Sequence, residues 1–324
     1  MREITFSEAT LEAMTEEMQR DERVFIMGED IARQGGIFGQ FKGLPQKFGC
    51  DRVMDTPISE TAIVGAGIGA AMAGMRPVID MHFVDFITVA MDEVVNQMAK
   101  VRYMFGGQCR LPLVLRAPDG IIRSAAAQHS QSLEAWFLHV PGLKVVIPSN
   151  PADAKGLLKA AIRDDNPVLY FEHKVLFPMK GPVPEGDHIT PIGKAHIVKA
   201  GKDVTIVSYS LMLQRTLEAE KILSSQGIDA EIIDLRTISP IDKETIFTSI
   251  AKTKRLVIVH EAVKSGGVGA EIAALVAEEA LDCLDAPIKR LGAPSVPIPF
   301  SPPLEKLVRV HPEDIARSAQ EICR

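Results

Sequence analysis

Residues 55–80 read DTPISETAIVGAGIGAAMAGMRPVID, and they show the alternation of elements on which the fold depends. A proline-containing turn comes first, an apolar helix is expected over residues 60–74, and a buried strand is expected over residues 77–80. Further elements follow the same order on both sides of this stretch. We expect strands at residues 24–27, 111–116 and 168–171, and helices at residues 5–19, at 87–103 and after Asn150.

Strands that alternate with helices predict an α/β fold in which helices cover both faces of a parallel sheet. Residues 31–50, which contain five glycines and one proline, are expected to form a surface loop. Residues 177–191 contain four prolines and two glycines without periodicity, and we expect a domain boundary there. The alternation then resumes, with strands expected at 204–208, 230–235 and 255–260. The tail at 294–303, with five prolines, is expected to be irregular.

The composition excludes several classes of protein. The 324 residues are 46% hydrophobic, which excludes disorder, and the net charge of −6 without a long basic run argues against nucleic acid and anionic membranes as partners. Four scattered cysteines lack zinc or CxxC spacing, and they predict free thiols in a cytoplasmic protein. The longest apolar stretch is shorter than the ~20 residues of a membrane span. No signal peptide is expected at the N-terminus.

The glycine run at residues 65–69, GAGIG, matches a dinucleotide-binding fingerprint only in part. That fingerprint needs a preceding strand and a sixth-position glycine, whereas a turn precedes this run and Ala70 holds the sixth position. We expect Gly65, Gly69 and Ala73 to allow close helix packing instead, and a nucleotide-dependent oxidoreductase is a disfavoured alternative. The sequence contains no GxSxG, HExxH or Walker A motif, which removes support for the corresponding hydrolases and nucleotidases.

Two polar residues are candidates for chemistry on residue type alone. Glu60 falls in the first turn of the expected helix, where a carboxylate either serves a site or simply complements the helix dipole. His129 lies between two amide side chains and suits proton transfer near neutral pH, but a surface-loop histidine is an equal alternative. The residues alone leave both alternatives open.

An ordered set of segments resembles one family. The segments are GED at 28–30, DTPISE at 55–60, GAGIGAAMAG at 65–74, AQHSQ at 127–131, PGLKVV at 141–146 and DLRTISP at 234–240. Together they resemble the β subunit of the thiamin-diphosphate-dependent decarboxylase component of 2-oxo acid dehydrogenase complexes, the family of the pyruvate and acetoin dehydrogenase β subunits. The resemblance covers about residues 4–322. It implies a transketolase-type pyrimidine-binding domain at 1–180, a linker at 181–192 and a transketolase C-terminal α/β domain at 193–324.

The resemblance also implies roles for individual residues. Glu60 matches the glutamate that hydrogen-bonds a ring nitrogen of the coenzyme's aminopyrimidine. Phe86 matches the aromatic side chain that packs on this ring, although a core phenylalanine is an equal alternative. Ile58 and Glu29 are expected near the same ring, and His129 matches the histidine on the substrate side. The expected catalytic residues are Glu60 and His129, and the expected cofactor-binding residues are Glu29, Ile58, Glu60 and Phe86.

A cation site is a further implication of the resemblance. Leu113, Ala161, Ile162, Asp164 and Asn166 match positions that bind potassium, several of them through backbone carbonyls, and hard cations take oxygen ligands. The equal alternative is a helix end followed by an Asn-Pro turn.

A missing motif points to a partner. The magnesium–diphosphate motif of these enzymes begins with GDG, whereas here Gly186-Asp187 is followed by His188. The resemblance therefore implies a separate α subunit that binds the diphosphate and Mg²⁺. It also implies an assembly of two α and two β chains with a β–β contact, and a lipoyl-bearing dihydrolipoyl acyltransferase as acceptor.

The expected enzyme is an oxidoreductase of the pyruvate dehydrogenase type that works only with its α subunit. Residues 102–107, 172–174 and 299–305 look more like acetoin dehydrogenase, and residues 284–287 look more like pyruvate dehydrogenase. Acetoin cleavage is therefore the close alternative. A branched-chain 2-oxo acid dehydrogenase subunit and a non-catalytic assembly subunit are weaker ones.

Overall fold

The computed structural model describes residues 2–324, which form two compact units. The first contains the residues up to Asp119 together with Trp136–Ile192, and the second contains Gly120–Ala135 together with Gly193–Arg324. The domain limits expected from the sequence stay predictions, and the compact units differ from them at Gly120–Ala135. Among the described residues, no helix has both the length and the apolar character needed to cross a membrane. The cysteine thiols are free.

The first unit is built on a parallel sheet. Its strands are β1 (Arg2–Thr5), β2 (Val24–Gly28), β3 (Val53–Asp55), β4 (Arg76–Asp80), β5 (Val114–Asp119), β6 (Lys144–Val146), β7 (Val168–His173) and β8 (Lys180–Val183). Strands β6, β7, β5, β4, β2 and β3 lie side by side in that order, all parallel. The predicted parallel α/β sheet is therefore confirmed for this unit. Strand β8 pairs antiparallel with β1, so the proline-rich stretch is more regular than expected.

Helices lie between these strands along the chain. They are α1 (Phe6–Arg20), α2 (Leu44–Phe48), α3 (Glu60–Met72), α4 (Val101–Met104), α5 (Glu134–Leu138) and α6 (Pro151–Arg163). Helix α1 begins with the predicted capping box, in which the Thr5 hydroxyl accepts the Glu8 N–H and the Glu8 carboxylate accepts the Thr5 N–H. Asn150 caps α6 by accepting the N–H of Asp153. The core between α1, α6 and the sheet includes Val24 and Leu157.

Three expectations for the first unit are wrong in detail. Residues expected as one helix form a 3₁₀ turn at Val84–Ala90, a π-helical turn at Glu93–Met98, and the short α4. The expected surface loop at 31–50 buries Phe41 completely and contains α2. The glycine that allows close packing in α3 is Gly67, where a Cβ atom would lie 2.8 Å from Ile79 Cγ2. No atom lies within 4 Å of a Cβ atom built at Gly69, which faces outward.

The second unit has a mixed sheet. The strands of this sheet are β9 (His196–Lys199), β10 (Val204–Ser208), β11 (Ala230–Asp234), β13 (Leu256–Val263) and β14 (Lys289–Ala293). The short strand β12 (Thr237–Ser239) lies outside this sheet. The helices of the second unit are α7 (Ser210–Ser225), α8 (Lys243–Thr253), α9 (Val268–Glu279), α10 (Pro302–Val308) and α11 (Pro312–Cys323). Strands β14, β13, β10 and β11 are parallel in that order, and β9 joins β11 antiparallel. Part of the expected irregular tail is helical, because proline is tolerated in the first turn of α10.

Candidate active site

Glu60 is the first residue of α3 and is half-buried. The turn before it is anchored at one end, since the Thr56 N–H donates to the Gly28 carbonyl at 3.0 Å. The helix N-terminus carries partial positive charge, which stabilises a carboxylate there. Among residues 2–324, no hydrogen bond or salt bridge engages the Glu60 side chain. The structure thus presents a carboxylate that is available to a ligand.

An aromatic and an aliphatic side chain lie on segments linked to this helix start. The Thr61 hydroxyl donates to the Val89 carbonyl at 3.1 Å, which ties α3 to the 3₁₀ turn that contains Phe86. The Phe86 ring is half-buried, and its centroid lies 5.8 Å from that of Phe83 in an edge-to-face arrangement. Ile58 is 82% exposed. A half-buried ring and an exposed aliphatic chain suit contact with a flat aromatic ligand.

Glu29 follows the last residue of β2 and is nearly buried. Burial raises the pKa of its carboxyl, His82 lowers it, and the charges of Glu60, Asp30 and Asp80 raise it. Glu29 and Glu60 therefore interact electrostatically, as expected if both line one site. The residues expected to bind the cofactor are Glu29, Ile58, Glu60 and Phe86. They lie on segments that hydrogen bonds join to one another, from Thr56 to Gly28 and from Thr61 to Val89.

A buried ion cluster lies beside this group. The guanidinium of Arg116 on β5 is completely buried and pairs with Asp80 of β4 and Glu172 of β7, and the Thr10 hydroxyl donates to Glu172 at 2.7 Å. Burial raises the pKa of both carboxyl groups, and the Arg116 charge opposes this rise. This cluster was not predicted from the sequence, although a charged residue within or at the end of the apolar run of each strand was a visible signal.

His129 belongs to the second unit and lies in an irregular segment, residues 120–133, that contains no helix or strand. Two carboxylates hold the start of this segment: Glu261 accepts the N–H of Ile121 at 2.7 Å, and Glu305 accepts the N–H of Ser124 at 2.8 Å. The imidazole of His129 is half-buried. These two glutamates were not predicted from the sequence, because they lie more than a hundred positions away along the chain.

The segment that carries His129 also lines a cavity of about 380 Å³ in the second unit. Ser130 lies on its wall with the hydroxyl buried and, among the described residues, without a hydrogen-bond partner. Glu134, at the end of the segment, accepts a hydrogen bond from the Tyr209 hydroxyl at 2.6 Å. Burial raises the pKa of Glu134, and the Tyr209 hydroxyl opposes this rise.

The residues expected at the cation site already have protein partners. Arg76 donates to the carbonyls of Ile162 at 2.9 Å and Asp164 at 3.1 Å, and Lys144 pairs with the Asp164 carboxylate. Arg102 donates to the Asn166 side chain. The Val168 N–H donates to the Leu113 carbonyl at 2.9 Å, and the Asp164 N–H donates to the Ala161 carbonyl at 3.3 Å. A bound cation would have to share or displace some of these donors, so potassium binding stays a prediction.

Two family models match the chain. The transketolase pyrimidine-binding domain matches residues 2–180, and the transketolase C-terminal domain matches residues 193–315. A solved structure described as a split-gene transketolase, an inactive β4 tetramer, has a TM-score of 0.82 and 23% identity, and the match covers 99% of this chain and 98% of that one. The predicted transketolase-type fold is therefore confirmed.

Curated relatives match over nearly the full length. The 2-oxoisovalerate dehydrogenase subunit beta of Bacillus subtilis (strain 168) is 47% identical, covering 99% of both chains. The acetoin:2,6-dichlorophenolindophenol oxidoreductase subunit beta of the same organism is 47% identical, covering 99% of this chain and 97% of the relative. The mitochondrial pyruvate dehydrogenase E1 component subunit beta of Dictyostelium discoideum is 46% identical, covering 99% and 91%. The chain belongs to this family of thiamin-diphosphate-dependent dehydrogenase β subunits, which work with an α subunit.

Proposed function

We propose that this chain is the β subunit of a 2-oxo acid dehydrogenase of the pyruvate type. With its α subunit it would decarboxylate the oxo acid oxidatively and pass the acyl group to a lipoyl-bearing dihydrolipoyl acyltransferase. The observation that carries the proposal is the Glu60 carboxylate at the start of α3, which has no hydrogen-bond or salt-bridge partner among residues 2–324 and acts electrostatically on Glu29. Acetoin cleavage is the second candidate and decarboxylation of a branched-chain oxo acid is the third. The acetoin and 2-oxoisovalerate relatives are each 47% identical to this chain.

The residues present fit the pyrimidine end of thiamin diphosphate. An aminopyrimidine is a flat ring with nitrogen atoms at its edge, so it needs hydrophobic contact on its faces and hydrogen-bonding groups around its rim. Phe86 and Ile58 offer the contact, and Glu60 offers the rim carboxylate. The Thr56 hydroxyl, in the same turn, is buried and has no partner among the described residues, so a second polar group there is unsatisfied.

The chain's own residues would orient and polarise the coenzyme. Glu60 would hold a proton between its carboxyl oxygen and a ring nitrogen, and the rigid start of α3 would fix the direction of that contact. Phe86 and Ile58 would exclude water from the ring faces. When bound, thiamin diphosphate supplies the carbanion chemistry that cleaves the bond beside the oxo group.

The diphosphate and Mg²⁺ are assigned to the α subunit, in a complex of two α and two β chains. The outer face of α3 supports a protein partner because it is exposed, uncharged and made of small residues: Ala62, Gly65, Ala66, Gly69 and Ala73. A helix that is apolar all round is normally buried. A β–β contact is part of the same proposal, and a cytoplasmic location stays a prediction from the cysteine content.

Turnover by the complex of this chain with its α subunit tests the proposal. We expect Glu60→Gln to lower kcat for decarboxylation by about 100-fold or more, because a positioned proton-transfer group contributes that much. Size-exclusion chromatography should show an intact complex. Glu22→Gln, which changes an exposed acid of the same unit, is the matched control. Turnover of Glu60→Gln at the control's level would refute the assignment.

His129 is proposed to act on the substrate side during acyl transfer. His129→Ala should lower the rate of lipoyl acylation more than it lowers coenzyme affinity, since the residue would contact the acyl group and not the coenzyme ring. His139→Ala, an exposed histidine, is the control. Equal losses of affinity and acylation would contradict this role. Rates with pyruvate, acetoin and 2-oxoisovalerate in the same complex would decide the substrate.

A potassium site is proposed at the same oxygens that Arg76 and Lys144 contact, those of Ile162 and Asp164. If potassium binds there, replacing NaCl with KCl at equal ionic strength should raise the melting temperature of the complex. Asp164→Asn should remove that difference. Equal melting temperatures in the two salts would argue against the site.

A further inference from the structure

Glu29 and His82 follow the carboxyl ends of two neighbouring parallel strands. Gly28 ends β2 and pairs in register with Asp80, which ends β4. A Cβ atom at Gly28 would lie 2.6 Å from the Asp80 carbonyl oxygen, so glycine allows the two strand ends to approach closely. The residues just beyond both ends meet as a result, and His82 Nδ1 lies 3.2 Å from Glu29 Oε2.

The second contact of His82 determines which ring nitrogen carries hydrogen. His82 Nε2 lies 2.9 Å from the backbone carbonyl oxygen of Glu29. A carbonyl oxygen only accepts, so Nε2 must be protonated. Nδ1 then either donates to an ionised Glu29 or accepts from a protonated one. In both cases a single proton is shared between Nδ1 and Oε2, and the pair as a whole is neutral.

The pair is surrounded mainly by negative charge. Glu60, Asp30 and Asp80 all act electrostatically on Glu29, and His82 acts on Asp80. The cations on neighbouring elements are engaged elsewhere: Arg116 pairs with Asp80 and Glu172, and Lys174 Nζ lies 4.9 Å from the centroid of the Phe83 ring. The side chains of His82 and Glu29 are only 14% and 10% exposed, so water screens them weakly. His82 is therefore the group that balances the Glu29 charge.

We propose that His82 is a positioning residue for the coenzyme site: its ring contacts both the carboxylate and the backbone carbonyl of Glu29 and so holds that acid in place at the end of β2. The inference rests on the proposed role of Glu60. Without His82, Glu29 would be left as a buried acid on which the charges of Glu60, Asp30 and Asp80 act. His82 lowers the pKa of the Glu29 carboxyl group, so without His82 that carboxyl group would take up a proton at a higher pH, and activity that needs ionised Glu29 would be lost at a higher pH.

The pair itself can be tested on the full chain without coenzyme or α subunit. Histidine labelled with ¹⁵N, assigned through His82→Gln, would report the protonation of both ring nitrogens by NMR. We expect Nε2 to stay protonated from pH 6 to 8 and the Nδ1 shift to change in Glu29→Gln. A ring protonated only at Nδ1 at pH 8, or one insensitive to Glu29→Gln, would overturn the proposal.

The consequence for activity is tested by pH profiles of kcat/KM in the complex. We expect His82→Gln to move the acid-side midpoint upward by about one pH unit, the size of shift that one partly buried neighbouring charge produces. In a Glu29→Gln background, His82→Gln should cause no further shift, because no charge remains to be balanced. His139→Gln is the exposed-histidine control.

An unshifted midpoint in His82→Gln, or a shift of equal size in the Glu29→Gln background, would overturn the role of His82. A merely structural role would lower stability without moving the midpoint. Normal turnover in Glu60→Gln would instead remove the proposed function, while the NMR result on the pair would still stand.

Discussion

Acidification should destabilise the second unit through His260. This imidazole lies on β13, is completely buried, and stacks on Tyr209 with the ring centroids 6.5 Å apart. Burial lowers the pKa of His260 from 6.5 to about 4, the hydrogen bond with the Ala262 carbonyl opposes this shift, and the Arg290 charge adds to it. A Cβ atom at Gly267 would lie 2.6 Å from the His260 ring, so the packing leaves little room for the ring to move.

The magnitude follows from the difference in proton binding between the folded and unfolded chains. The unfolded chain protonates His260 near pH 6.5, whereas the folded chain does so only near pH 4. The unfolded state therefore binds more protons between these values, and the contribution of His260 to stability is present above pH 6.5 and is lost as the pH falls toward 4. Each pKa unit corresponds to about 1.4 kcal/mol, so we expect a loss of between roughly 2 and 3 kcal/mol from pH 7 to pH 4.5.

The assay is urea unfolding followed by circular dichroism at several pH values, for the wild type and for His260→Gln. Other groups also titrate in this range, so the test is the difference between the two pH dependences and not either curve alone. Hydrogen exchange of peptides from β10 and β13 would localise the effect to the second unit. Parallel pH dependences of the two proteins, or an NMR titration of His260 with a midpoint near 6.5, would refute the reasoning.

Three substitutions in the first unit should change the stability of the protein. Thr5→Ala removes the capping box of α1 and should cost about 1 kcal/mol in urea unfolding, while an unchanged midpoint would contradict the cap. Gly28→Ala places a Cβ atom 2.6 Å from the Asp80 carbonyl and should lower the melting temperature by several degrees, and a wild-type melting temperature would show that the strand ends can separate freely. Arg116→Met leaves Asp80 and Glu172 buried without their cation and should cost about 3–5 kcal/mol at pH 8. That loss should shrink toward pH 5 as the carboxyl groups, whose pKa burial raises, take up protons, and equal losses at both pH values would contradict this explanation.

Local patterns predicted the elements that depend on nearest neighbours in the chain. The Thr5–Glu8 capping box and the Asn150 cap were confirmed because a helix start is specified by three or four consecutive residues. The apolar strands were found for the same reason. The break between Val84–Ala90 and Glu93–Met98 was missed, because a helical period does not distinguish α from 3₁₀ or π geometry.

The candidate site was predicted in part. The ordered motifs pointed to Glu60, Phe86 and His129 through resemblance, and their roles stay predictions. The partners of these residues were not visible in the sequence. His82 lies 53 positions from Glu29, and Glu305 lies 181 positions from Ser124.

The sequence by itself determined the parallel α/β class, the family and the identity of the candidate residues, because periodicity, caps and ordered motifs are properties of the linear chain. Only the tertiary structure decided that the Glu29 carboxylate lies 3.2 Å from the His82 ring and that Arg116 lies between two buried carboxylates. The physical reason is that such contacts depend on which strand ends adjoin in the sheet. Their electrostatics depend on how completely the neighbouring residues exclude water.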